Sequence, residues 1–206
     1  MSNSFITNKE KFLSDIINGI LPKTNAVDIL VGYFYYSGYS QLSEKLQDKQ
    51  IRILVGLDID LHISKRISEV ENFRKGFVSR NLVKEEYYAQ FITLFNDSDL
   101  LDSADKLEQF KMFYGKILDG TLEIRKTLEP CHSKMYLFAY NDQMNEGGEL
   151  PGVLITGSSN LSYQGLKGRL ELNARFNDKL EYEEGKKLFN ELWGKTLWVI
   201  CKTETI

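Results

Sequence analysis

Only two cysteines, Cys131 and Cys201, occur among 206 residues, too few for a disulfide scaffold or a four-thiolate metal site. Prolines number three, and no Pro-rich linker, internal repeat or low-complexity tract divides the chain. No apolar run is long enough to cross a bilayer, and no stretch reads as a membrane-binding amphipathic helix. Met1 to Glu10 is polar and lacks the basic, apolar and small-residue succession of a secretory signal. The expected location is therefore cytoplasmic, with no membrane partner. Positive charge is in short supply too: 26 Lys and Arg stand against 29 Asp and Glu, a net charge of -3. That argues against a surface that binds polyanions all over, because nucleic-acid affinity rests on neutralising phosphates. A local patch survives this exclusion, since Arg125, Lys126, Lys134, Lys167, Arg169 and Arg175 surround the polar motifs while Glu181, Glu183 and Glu184 follow later. Ordinary solvated surface is the plain alternative for that split.

What is present is a hydrophobic content of 42% and an aromatic content of 12%, enough to bury one core, so residues 1–206 are expected to form a single domain. Thr7 followed by Glu10 resembles a capping box, and Phe12, Ile16, Ile17 and Ile20 recur at helical spacing behind it. Ala26 to Tyr36 and Ile51 to Leu57 are nearly continuous apolar runs flanking a short helical pattern at Leu42 to Leu46. Continuous rather than alternating runs predict strands buried on both faces, as in a parallel crossover unit. Between Ser64 and Gly120 the pattern turns helical, with Ile67, Val70, Phe73 and Phe77, then Tyr87, Phe91 and Phe95, then Leu107, Phe110, Phe113 and Ile117. Asn96 to Ser103 reads as a loop, and Gly120 stands where a helix C-terminal cap belongs. Strands are predicted again at Thr121 to Lys126, His132 to Tyr140, Val153 to Thr156 and Leu170 to Phe176, with a polar hairpin connection at Asn141 to Gly152. Leu180 to Trp193 carries one apolar stripe, and Thr196 to Ile206 is a short tail. The fold class is thus α/β: a mixed, largely parallel sheet flanked by helices, with a helical insertion at about residues 64–120.

Chemistry concentrates in three polar pairs. On an extended chain residues i and i+2 share a face, so His132 and Lys134 project together while Cys131, a small buried hydrophobe on this reading, points away. Ser158 and Asn160 repeat the relation inside Gly157-Ser158-Ser159-Asn160, and Glu171 and Asn173 repeat it again. Such groups suit displacement at phosphorus. A neutral imidazole can form a phosphohistidine, a protonated second imidazole can serve the leaving oxygen, and Lys134, Ser158 and Asn160 can hold the nonbridging oxygens. Glu171 can hold the imidazole tautomer. Blander roles stay open: an exposed basic pair for His132 and Lys134, a turn for Gly-Ser-Ser-Asn, and a salt-bridge partner of Arg169 for Glu171. The run Tyr33, Phe34, Tyr35, Tyr36 and Tyr39 can stack nucleobases, but packing at a strand end is the preferred reading. His62, in Leu61-His62-Ile63, reads as structural or solvent-facing.

His132-x-Lys134, the Gly157-Ser158-Ser159-Asn160 turn and Glu171 with Asn173 resemble the H-x-K motif of the phospholipase D superfamily, especially its nuclease-like branch in restriction enzymes and ahead of DEAD/DEAH-box-type helicases. The resemblance implies a mixed sheet flanked by helices, a nucleophilic His132, phosphate contacts from Lys134 and Asn160, less directly roles for Ser158 and Glu171, and two motif copies per site. It implies neither metal nor cofactor. It departs at Ala139, where the longer family pattern has an aspartate five positions after the lysine, which disfavours phospholipid hydrolysis. With no motif context around His62, the chain carries one motif copy, so the second imidazole is expected from a twofold homodimer. The resulting expectation is a metal-independent phosphodiesterase, an endonuclease type of domain acting on nucleic acid, DNA before RNA. No G-x-x-x-x-G-K-[ST] loop occurs, so a helicase motor would lie beyond Ile206 in a longer parent protein. The alternative is a non-catalytic phosphate- or DNA-binding and dimerisation module of the same fold.

Overall fold

The computed structural model describes residues 5–59 and 104–198. Its described strands form one eight-stranded sheet: β1 (Phe5–Ile6), β2 (Thr24–Phe34), β3 (Gln50–Ile59), β4 (Leu122–Thr127), β5 (Met135–Tyr140), β6 (Gly152–Gly157), β7 (Asn173–Phe176) and β8 (Thr196–Trp198). The order across the sheet is β1-β7-β6-β5-β2-β3-β4-β8. The described helices are α1 (Leu13–Ile20), α2 (Tyr36–Tyr39), α3 (Ser43–Leu46), α4 (Ala104–Asp119) and α5 (Lys179–Trp193).

The near-continuous apolar runs became β2 and β3, paired in parallel and joined through α2 and α3. Their alternate side chains feed two separate cores. Ile29, Val31, Ile53 and Val55 pack on the face covered by α1 and α4, whereas Leu30 and Leu54 join Leu137, Leu154, Tyr182, Phe189 and Trp193 on the α5 face. Burial on both faces makes each such strand residue count, at about 1.5–3 kcal/mol per fully buried aliphatic side chain. The mixed sheet flanked by helices is therefore present. Its balance differs from a largely parallel sheet: β2·β3 and β3·β4 are parallel, and the other five pairings are antiparallel. Part of the reason is the connection between β5 and β6, residues 141–151, which is too short for a crossover and so makes them antiparallel neighbours.

Local differences have identifiable causes. Helix α1 starts at Leu13, not after Thr7. Its first turn is met by Asn8, whose side-chain oxygen accepts from the Leu13 N–H at 2.8 Å while its amide donates to Gly165 O at 2.8 Å. Asn8 sits at φ 57°, a conformation its short polar side chain tolerates. The supposed tail begins as a strand, with Leu197 and Trp198 registered against Lys126 and Arg125. Gly120, at φ 77°, ends α4 as expected, its N–H bonded to Ile117 O at 3.3 Å. The helices expected around Ile67–Phe77 and Tyr87–Phe95, the loop Asn96–Ser103, and His62 lie outside the described residues. Among the described residues, no helix is long and apolar enough to cross a membrane.

Candidate active site

Antiparallel pairing of β5, β6 and β7 brings the start of β5, the end of β6 and the start of β7 to one end of the sheet. The end of β2, antiparallel to β5, arrives there too. His132 and Lys134 precede β5, Ser158 and Asn160 follow β6, and Glu171 precedes β7. The polar pairs thus converge as expected, but from loops at strand ends; of the six residues, only Asn173 lies in a strand. Loops are where chemistry-bearing groups can stay unpaired without disrupting a ladder.

The approach to His132 is made possible by glycine. Cys131 N–H donates to Gly56 O at 3.1 Å, and a Cβ on Gly56 would lie 1.8 Å from Cys131 O. Any side chain there would push the His132 segment off β3. Gly32 is similar but milder, its imagined Cβ meeting His132 Cδ2 at 3.1 Å and Asn160 Oδ1 at 3.4 Å. Cys131 is half-buried against the α5-side core, less covered than the buried role expected of it.

His132 is exposed and Lys134 is only 4% exposed. The lysine Nζ lies 3.0 Å from His132 Nδ1 and donates to His132 O at 2.6 Å. Two of its three N–H donors are thereby engaged, leaving one for a ligand. Burial holds the Lys134 pKa below the ordinary lysine value, with Glu171 and Cys131 acting in the opposite direction. Tyr33 stands edge-on to the imidazole, ring centroids 6.3 Å apart.

Asn160 is oriented by the backbone. Tyr33 N–H donates to its Oδ1 at 2.9 Å, and because an N–H requires an acceptor, the other end of the amide must be the donor. The Asn160 Nδ2 group therefore faces away from Tyr33 with its hydrogens available. Ser158 donates to the Glu171 carboxylate and accepts from Leu172 N–H at 3.0 Å. Glu171 thus engages the serine, not the imidazole whose tautomer it was expected to hold; its charge reaches Lys134 and Tyr136 only through space.

Three supports were missed by pattern reading. Ser159, fully buried, exchanges hydrogen bonds with Asn173: its N–H donates to Asn173 Oδ1 at 3.3 Å, and Asn173 Nδ2 donates to Ser159 Oγ at 2.9 Å. Tyr136 donates to Ser159 O at 3.0 Å, and Thr156 donates to Lys134 O at 2.7 Å. These bonds fix the serine-rich turn and the lysine in place. The i, i+2 pairing of Glu171 with Asn173 was the available signal for the first, and nothing in the sequence pointed to Thr156.

A family model described as the cardiolipin synthase, PLD-like domain matches residues 23–193. The chain belongs to the phospholipase D superfamily. Solved structures with this fold include NucT from Helicobacter pylori, at 11% identity and TM-score 0.50, covering 96% of this chain and 98% of NucT. The phospholipase D family member Nuc from Salmonella typhimurium gives 10% identity, TM-score 0.50 and coverage of 96% and 97%. Phosphatidylserine synthase from Haemophilus influenzae gives 15% identity and TM-score 0.52, over all of this chain but 41% of the synthase. At such identities the likeness is one of fold. No curated protein compared with the chain matches it. Within this phospholipase D-like domain, position 139, where the longer pattern has an aspartate, lies away from the convergent polar groups. Ala139 lies inside β5, paired with Ala26 and Gly152, about 16 Å along an extended chain from Lys134.

Proposed function

We propose that this domain is a phosphodiesterase acting on nucleic acid, DNA in the first instance, through a phosphohistidine formed on His132. The observation that carries the reading is an exposed imidazole backed by a buried ammonium with a donor to spare. In the resting site, Lys134 charged and donating to Nδ1 leaves the ring proton on Nε2. A substrate phosphate competes for the same ammonium. Drawing Lys134 away lets the ring proton settle on Nδ1 and bares Nε2 for attack.

Nε2 then bonds to phosphorus as the P–O bond to the departing strand breaks, and a second, protonated imidazole delivers its proton to that oxygen. Lys134 and the Asn160 Nδ2 group take up the charge that accumulates on the nonbridging oxygens. Water, deprotonated by the second imidazole, attacks phosphorus, the P–N bond breaks, and His132 is regenerated. With two histidines in the chain and one motif copy, the second imidazole is His132 of another copy in a twofold dimer. No metal takes part in these steps. The same module suits the front of a helicase or a restriction enzyme, where a motif-bearing domain would act on the strand the motor delivers.

A binding-only reading is favoured by one observation, the engagement of Glu171 with Ser158 in place of the imidazole. Incubation with DNA and with bis(4-nitrophenyl) phosphate in EDTA, beside a His132→Ala variant, separates the two. Chelator-resistant turnover lost in the variant supports the enzyme, and absence of turnover on every substrate supports the binder. Full activity in a species that sediments as a monomer would sink the shared site.

A further inference from the structure

The aromatic run after β2 divides into two populations. Tyr36 and Tyr39 pack among Phe110 and Phe113, with ring centroids 4.8 to 5.4 Å apart, and Phe34 is fully buried beside Phe113. That half of the run is core, as expected. Tyr33 and Tyr35 alternate with Phe34 along extended backbone and so face the other way. Tyr35 is 42% exposed.

A third ring joins them from a different segment. Tyr35 N–H donates to Leu161 O at 2.9 Å, and Tyr163 N–H donates to Ser37 Oγ at 3.3 Å. The segments 35–37 and 161–163 therefore run side by side, tightly enough that a Cβ on Gly38 would lie 2.4 Å from Leu161 C. Tyr163 is 43% exposed, and neither it nor Tyr35 has an aromatic neighbour among the described residues. Both segments start at the site: Tyr33 N–H holds Asn160 Oδ1, and its ring is 6.3 Å from that of His132. The exposed Lys167 lies on the turn after Tyr163, its ammonium 5.7 Å from the Phe12 ring centroid, and the exposed Arg169 follows that turn in extended conformation.

We infer that Tyr35 and Tyr163 form a stacking platform for the unpaired bases of a single-stranded nucleic acid whose phosphate lies at His132. The inference rests on the nucleic-acid reading above and names its strandedness. Exposed tyrosine faces gain most by stacking on bases that are not already stacked in a duplex. Rings beside a site for one phosphate, followed by two cations for neighbouring phosphates, match a polymer of alternating base and charge better than an apolar partner. A lipid headgroup offers no ring to stack on. Because every base has a flat face, the platform is tolerant of sequence.

The test measures equilibrium binding by anisotropy, in EDTA and in the His132→Ala background so that the strand stays intact. The probes are a short fluorescein-labelled single-stranded oligodeoxynucleotide, its abasic counterpart and its duplex. The expected order is single strand, then duplex, then abasic strand. Tyr35→Ala and Tyr163→Ala should each weaken binding of the base-bearing strand about tenfold and the abasic strand little, with Tyr→Phe restoring it. Equal binding of base-bearing and abasic strands overturns the inference, as does an undiminished base preference in the alanine variants. So does an alanine variant that changes the sedimentation of the free protein, which would assign the rings to contact between copies. Wild-type turnover of bis(4-nitrophenyl) phosphate reads the phosphodiesterase assignment separately, so a platform without turnover and turnover without a platform are distinct results.

Discussion

Two buried charges in this molecule are treated in opposite ways. On the α5 face, Asp28 is almost fully buried and accepts from Arg52 Nε at 2.6 Å, Arg52 Nη2 at 2.8 Å and Lys186 Nζ. Arg52 is itself capped by the Phe189 and Trp193 rings, at 4.9 and 5.2 Å, and Arg125 covers Trp193 at 4.1 Å. Every charge there is spent on a partner. At the site, Lys134 is as deeply buried yet meets only a carbonyl and an imidazole nitrogen. A charge that locks helix to sheet uses up its bonding capacity, while one that serves a ligand keeps some back and bears the desolvation cost.

The contrast can be broken first at His132. His132→Ala should lower phosphodiester turnover by about 10³-fold or more, with an unchanged melting temperature because the ring is exposed. Lys134→Met should cost about 10²–10³-fold in kcat and melt no lower than the wild type. The lysine pKa is depressed in the folded protein, so the unfolded chain binds the proton more tightly. Native stability then rises with pH from the depressed value up to the ordinary 10.5, and below that window the full burial cost persists. Methionine removes the cost. A clearly lower melting temperature in Lys134→Met would erase the distinction between the two charges.

Gly56→Ala tests placement: a Cβ 1.8 Å from Cys131 O must displace the His132 segment, and a shift near 1 Å should cost about 10²-fold in turnover. Asp28→Ala should do the reverse. It should cost about 3 kcal/mol of stability, toward the low end for a broken buried pair because Arg52 and Lys186 are partly exposed, and leave the kcat of the folded fraction intact. Denaturant unfolding with parallel kinetics reads both. The smallest effect is on pH. Loss of the Lys134 proton should end activity at a pH below that of an ordinary lysine, and Lys134→Arg should extend the basic limb while lowering the rate. A basic limb indifferent to Lys134→Arg would assign it to another group.

Much of this was legible because periodicity and motif report local preferences. The continuous apolar runs at Val27–Val31 and Ile51–Val55 could only be strands covered on both faces, and the spacing of Phe110, Phe113 and Ile117 could only be a helix. What misled was pairing direction and strand extent. His132 and Glu171 read as strand residues because alternation looks the same in an extended loop as in a ladder. The Thr7 capping box lost to Asn8, since a positive-φ asparagine that also binds Gly165 O depends on a segment 157 residues away.

By itself, the sequence determined which residues would be apolar on two faces, which would bend, and which three short segments carried groups able to handle a phosphate. Those are properties of neighbours along the chain. The tertiary structure alone decided that four strand ends meet, that Glu171 binds Ser158, and that half of one tyrosine run is core while the other half faces away from it. These outcomes depend on which strands pair and on the close approach allowed at Gly38 and Gly56, contacts between distant segments for which local spacing carries no information.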